Sequence, residues 1–107
     1  MSEEQNEIEI YQSNCFEKAL NKLPENKLKI VEDEIDNIFE NPEIGEAKRG
    51  DLSHLRVHKF KFGSQKVLLG YSWLENKVRI YLLYLGQHEN FYKQAKKRRM
   101  ADLKLIK

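Results

Sequence analysis

The spacing of apolar residues changes once along this chain, close to Gly50. Before that point the spacing is mostly helical. Residues 8–12 alternate apolar and polar positions, which predicts a short strand. Ser13 or Asn14 can cap a helix there, a side-chain oxygen accepting a free N–H of the first turn. Phe16, Ala19, Leu20 and Leu23 then recur at i, i+3, i+4 and i+7, one face of a short helix ended by Pro24. Leu28, Val31, Ile35, Ile38 and Phe39 form the stripe of a longer helix that stops at Asn41-Pro42. Glu32, Asp33, Glu34 and Asp36 crowd its outer side. The tight turn at Pro24 predicts an antiparallel helical hairpin.

After Gly50 the pattern becomes that of strands. Residues 55–62, 66–73 and 78–85 are rich in Val, Ile, Phe, Tyr and Trp. Short turns at Gly63-Ser64-Gln65 and Leu74-Glu75-Asn76-Lys77 predict an antiparallel meander. The last of these strands is nearly all apolar and is expected at the centre of the sheet. Residues 89–101 predict a basic helix. The order is βααβββα in one domain over residues 1–107, with 1–7 and 101–107 as frayed ends. The expected class is α+β: two layers, a helical hairpin packed on an antiparallel sheet.

Charge adds a second division. Residues 1–46 carry four Lys against thirteen Asp and Glu, a net −9; residues 47–107 carry fifteen Lys and Arg against four acids, a net +11. A basic half-domain suggests a polyanion such as nucleic acid. The alternative is that the two halves neutralise each other in the fold. Metal and cofactor chemistry finds little support. His54, His58 and His88 show no paired helical spacing, and Cys15 is the only cysteine, so no metal site and no cofactor are expected. No apolar run is long enough to span a membrane. An acidic N-terminus without an apolar stretch predicts no signal peptide, and with one cysteine this suggests the cytoplasm.

The candidate chemistry lies on the strands and just after them. Period two puts Phe60 and Phe62 on one face of a strand and Lys59 and Lys61 on the other. Two ammonium groups about 7 Å apart repel each other unless an anion sits near them. A solvated lysine face is the plainer reading. Lys66 starts the next strand and can enlarge the patch. Leu85-Gly86-Gln87-His88 ends the apolar strand, and His88 can exchange protons near neutral pH. Tyr92 follows one helical turn later and could stack on a base, while Phe91 reads as core.

These residues resemble the RelE/ParE superfamily of bacterial type II toxins. The likeness rests on Glu46-Ala-Lys-Arg-Gly-Asp-Leu-Ser, Lys59-Phe-Lys61, Lys66-Val-Leu-Leu-Gly-Tyr and Leu85-Gly-Gln-His-Glu-Asn-Phe-Tyr92, and spans residues 8–98. It implies a toxin of a toxin–antitoxin module in the RelE/YoeB-like branch, an endoribonuclease that cleaves mRNA on the ribosome without metal. The RNA 2′-hydroxyl attacks the phosphate in that chemistry. The resemblance implies that Lys61 and Lys66 stabilise the phosphorane and that His88 is the general acid, or the base with its partner protonating. Glu46 or Lys59 takes the 2′-proton, and Tyr92 orients a base. Arg56, Lys93, Lys96, Lys97, Arg98 and Arg99 would contact RNA. Lys66 stands where the family carries an arginine, which loses planar bidentate phosphate contact. The tail runs past the family's usual end, as an extra helical turn or a disordered end. The implied partners are a cognate antitoxin, the ribosome and mRNA, with no membrane. Two alternatives stay open: a ParE-like poison of DNA gyrase, and a non-catalytic member that acts only in an antitoxin complex.

Overall fold

The structure, a computed structural model, describes residues 7–106, except for the side chains at positions 88 and 89. Strand β1 (Glu9–Gln12) leads into helices α1 (Asn14–Asn21) and α2 (Glu25–Glu40). A short strand β2 (Glu46–Ala47) and a 3-10 turn at Gly50–Leu52 precede β3 (Arg56–Phe62), β4 (Gln65–Leu74) and β5 (Arg79–Gly86). Helices α3 (His88–Lys97) and α4 (Arg99–Ile106) follow. The five strands lie in the order β1-β5-β4-β3-β2.

The α+β class and the hairpin-on-meander arrangement match the sequence reading, with five differences. β1 pairs in parallel with β5, so the sheet is mixed rather than antiparallel. The helical hairpin and three further strands separate the two partners along the chain, and local periodicity cannot reveal that pairing. The expected order lacks β2, and residues 101–106, assigned to a frayed end, belong to α4. The centre of the sheet is β4, with β5 one place nearer the β1 edge. Finally, the sheet is covered on both faces, as described below.

The hairpin packs on one face. Ser13 caps α1: its Oγ accepts from the Phe16 N–H at 3.0 Å and donates to the Leu83 carbonyl at 2.7 Å. One hydroxyl therefore starts the helix and ties it to β5. Phe16, Val31 and Ile38 are fully buried against Val67, Leu69, Tyr71, Ile80 and Leu82. Phe39, expected in the α2 stripe, is 37% exposed, so the buried face turns away one residue earlier. His58 of β3 reaches α2, with Nε2 2.7 Å from Glu34 Oε1.

Helix α3 packs on the opposite face, which replaces the expected two layers with a sheet covered on both sides. Phe91 is fully buried among Leu55, Leu68, Tyr81, Leu83 and Ala95. Gly70 makes this seat. A Cβ at position 70 would lie 2.8 Å from Phe91 Cζ and 2.9 Å from Leu55 Cδ1. The missing side chain lets the phenyl ring rest on the backbone of β4. Burial from both sides explains why residues 67–72 are all buried, where a strand exposed on one face would alternate.

Two predictions follow from the packing. Gly70→Ala should push Phe91 off its seat and lower stability by about 1–3 kcal/mol. Urea unfolding that leaves the midpoint unchanged would refute the close fit. The second concerns Asp102 in α4, only 4% exposed. Burial pushes its carboxyl up to about 6, against the lowering influence of Arg98. The folded state therefore holds that proton more tightly than the unfolded chain does. The stabilisation is full below the ordinary carboxyl value of about 4 and is lost as pH rises through about 6. Asp102→Asn should remove this part of the pH dependence and raise Tm at pH 7. Parallel melting curves for both proteins across this range would show otherwise.

Candidate functional site

The site is built on the α3 side of β3 and β4. Phe60 and Phe62 turn towards the hairpin core, as expected. Lys59 and Lys61 alternate with them and face the other way. In the ladder Lys59 pairs with Leu68 and Lys61 with Lys66. All three lysines are exposed. With Phe60 and Leu68 they line an open depression of about 260 Å³. Like charges directly opposite each other across two strands are destabilising. Among the described residues none of the three makes an ion pair.

Glu46 stands at the margin of this patch. From β2 it pairs with Val57 of β3, which lies two residues from Lys59 and on the same face. Its carboxyl is held below the ordinary carboxylate range by a hydrogen bond from Lys48 first, with the charges of Lys48 and Lys59 adding to it. The loop before it is fixed by two side chains from the sheet. Tyr71 Oη accepts from the Gly45 N–H at 2.9 Å and donates to the Pro42 carbonyl at 2.7 Å. Arg56 Nη1 donates to the carbonyls of Glu43 at 3.1 Å and Gly45 at 2.7 Å. A Cβ on Gly45 would sit 2.8 Å from the Tyr71 ring, so only glycine permits this contact.

Tyr92 reaches the same margin from α3. The ring packs edge-on against Phe91, with centroids 5.2 Å apart, and the Lys48 ammonium lies 5.1 Å from the Tyr92 centroid. Lys48 Nζ also lies 2.9 Å from Glu46 Oε1. Sequence reasoning missed Lys48. The one available signal was its spacing two residues from Glu46, which puts both on one face of an extended segment.

The structure thus gathers Glu46, Lys59, Lys61, Lys66 and Tyr92 on one face. The side chain of His88 lies outside the described residues; its backbone starts α3, directly after β5. The expected RNA contacts divide. Lys93, Lys96 and Lys97 are exposed on α3. Arg56 is on the other face of β3 and is committed to the loop carbonyls just described. Arg99 Nε donates to the Asp51 carbonyl at 2.7 Å, and Arg98 has a buried Nε beside Asp102. Arg56 and Arg99 thus tie loop carbonyls to the fold, while the buried Nε of Arg98 has no hydrogen-bond partner among the described residues. Among the described residues no group of three or more His, Cys, Asp or Glu is placed to hold a metal ion, and no helix is long and apolar enough to cross a membrane.

A family profile described as ParE-like toxin of type II bacterial toxin-antitoxin system matches residues 10–96. The chain belongs to that family. Solved structures show the same fold for this ParE-like toxin. The intact E. coli RelBE toxin-antitoxin complex matches at 18% identity and TM-score 0.62, covering 77% of this chain and 98% of that one. An E. coli RelE variant in the free state matches at 20% identity and TM-score 0.67, covering 85% and 96%. The Mycobacterium tuberculosis RelBE2 complex matches at 17% identity and TM-score 0.63, covering 76% and 98%. No curated protein matches the sequence.

The lysine patch makes its own prediction. Lys66→Met should stabilise the protein at low salt by a few tenths to about 1 kcal/mol, by removing the like-charge partner of Lys61. Inorganic phosphate should raise the Tm of the wild type more than that of the variant. Equal shifts for the two proteins would mean that the lysines do not share an anion.

Proposed function

We propose that this toxin is a ribosome-dependent endoribonuclease that cleaves mRNA through its own 2′-hydroxyl. The observation that carries this reading is the convergence of Lys59, Lys61 and Lys66 on one open depression, with Glu46 and Tyr92 at its margin. Phosphoryl transfer of this kind needs a proton acceptor at the 2′-oxygen, positive charge around the phosphorane and a proton for the leaving 5′-oxygen. Lys61 and Lys66 supply the positive charge. Glu46, held ionised by its basic neighbours, is a ready acceptor, and Lys59 stands next to it. The resemblance gives His88 the donor role. Tyr92 offers a ring for base stacking. Exposed Lys93, Lys96 and Lys97 extend the positive surface along α3 for RNA backbone. A cognate antitoxin is the expected partner, in keeping with the complexes formed by the structural relatives.

A second reading is favoured by the matched profile, whose description is ParE-like. On that reading the protein poisons DNA gyrase and cleaves nothing itself. One experiment separates the two. Wild type and Lys59→Ala/Lys61→Ala are induced in cells, and mRNA 5′ ends and chromosome integrity are mapped together. Codon-phased cuts with the wild type, falling at least tenfold in the double variant, are expected; a loss of that order is typical of removing transition-state charge. Intact mRNA with double-strand DNA breaks would establish the gyrase reading instead. Both lysines are exposed, so the variant should keep the wild-type circular dichroism spectrum.

A further inference from the structure

We propose that Lys48 is a positioning residue: its ammonium clamps the Glu46 carboxylate and the Tyr92 ring into one unit at the margin of the lysine patch. Glu46 is then presented, in place, to the 2′-hydroxyl of the substrate. This inference rests on the endoribonuclease reading of the site.

The geometry supports a clamp rather than a casual surface ion pair. Lys48 Nζ is 2.9 Å from Glu46 Oε1 and 5.1 Å from the Tyr92 ring centroid. Its side chain is only 22% exposed, against 65% for Glu46. The Lys48 backbone is fixed as well, its N–H donating to the Leu55 carbonyl at 2.9 Å. Glu46, by contrast, is held in a strand of only two residues at the sheet edge. A long carboxylate side chain at such an edge would sample many rotamers. A half-buried cation bonded to it on one side and packed on an aromatic ring on the other restricts that freedom. The Tyr92 ring packs in turn edge-on against the fully buried Phe91. Lys48 therefore transmits the docking of α3 to a carboxylate on β2, two elements that lie far apart in sequence.

The clamp also has an electrostatic consequence. Lys48 is the main reason that the Glu46 carboxyl lies below the ordinary range. Glu46 is correspondingly the main reason that the Lys48 ammonium lies above its own, with the Tyr92 side chain second. A carboxylate held this way stays ionised to lower pH, but it is a weaker base for it.

The test compares wild type, Lys48→Met and Lys48→Arg. First, the Glu46 carboxyl is titrated by NMR in the free protein. Its midpoint should rise towards the ordinary carboxylate value in Lys48→Met and return in Lys48→Arg. An unchanged midpoint in Lys48→Met would overturn the clamp. Second, cleavage of mRNA on programmed ribosomes is followed against pH. Lys48→Met should lose roughly ten- to a hundredfold at neutral pH, the scale of a misplaced reacting group. Its acid limb should also move up in pH, and Lys48→Arg should restore both. A merely structural lysine would lower the rate without moving the limb, and that result, or wild-type cleavage in Lys48→Met, would overturn the positioning role. If the wild type itself cuts no mRNA, the endoribonuclease reading falls and the positioning role with it. The NMR titration would still report separately whether the clamp exists.

Discussion

The contact on which the site depends is Phe91 lying on the bare backbone of Gly70. The absence of one Cβ in the middle strand lets an aromatic ring approach the sheet, and that ring anchors α3 on the face opposite the helical hairpin. From this anchor Tyr92 is carried to Lys48, and Lys48 is bonded to Glu46. Without a seated Phe91, Tyr92 would hang from a loose helix and the margin of the lysine patch would lose one wall. The same contact makes β4 a strand buried on both sides, so it is also central to the core.

The electrostatics of the fold are arranged with a clear bias. The acidic first part and the basic second part do not simply cancel. Ion pairs join them at Glu9–Arg79 and Glu46–Lys48, and Glu34 lies in hydrogen-bond contact with His58. None of these reaches Lys59, Lys61 or Lys66, which stand together across two paired strands. Exposed like charges in register lower stability, modestly, and an anion would relieve the repulsion. Three of the arginines are used differently, bonded to loop carbonyls or packed beside a buried carboxyl. Lysine thus supplies the open positive surface of the strands, while arginine, with its planar fork of donors, ties loops to elements.

Much of this could be read from the order of the residues. The switch of apolar period near Gly50 placed the hairpin and the meander. Alternation on β3 put Lys59 and Lys61 on one face and Phe60 and Phe62 on the other, and Lys66 fell opposite Lys61 because a tight hairpin loop fixes the register. These are local consequences of side-chain periodicity and turn length, so the chain determines them by itself. The family resemblance likewise rested on short segments, and the profile match over residues 10–96 agrees with it.

Other features needed the folded molecule. The parallel pairing of β1 with β5 and the second covered face arise from contacts between distant segments, and no local pattern encodes them. The same holds within the site. Arg56 looked like another cation for RNA, yet loop carbonyls claim its guanidinium. Lys48 drew no separate notice in the sequence, yet the docking of helix α3 half-buries it between a carboxylate and a ring. The sequence set which side chains share a strand face. Only tertiary packing decided which charges stay free, because a charge is neutralised by whatever the fold brings within a few ångströms of it.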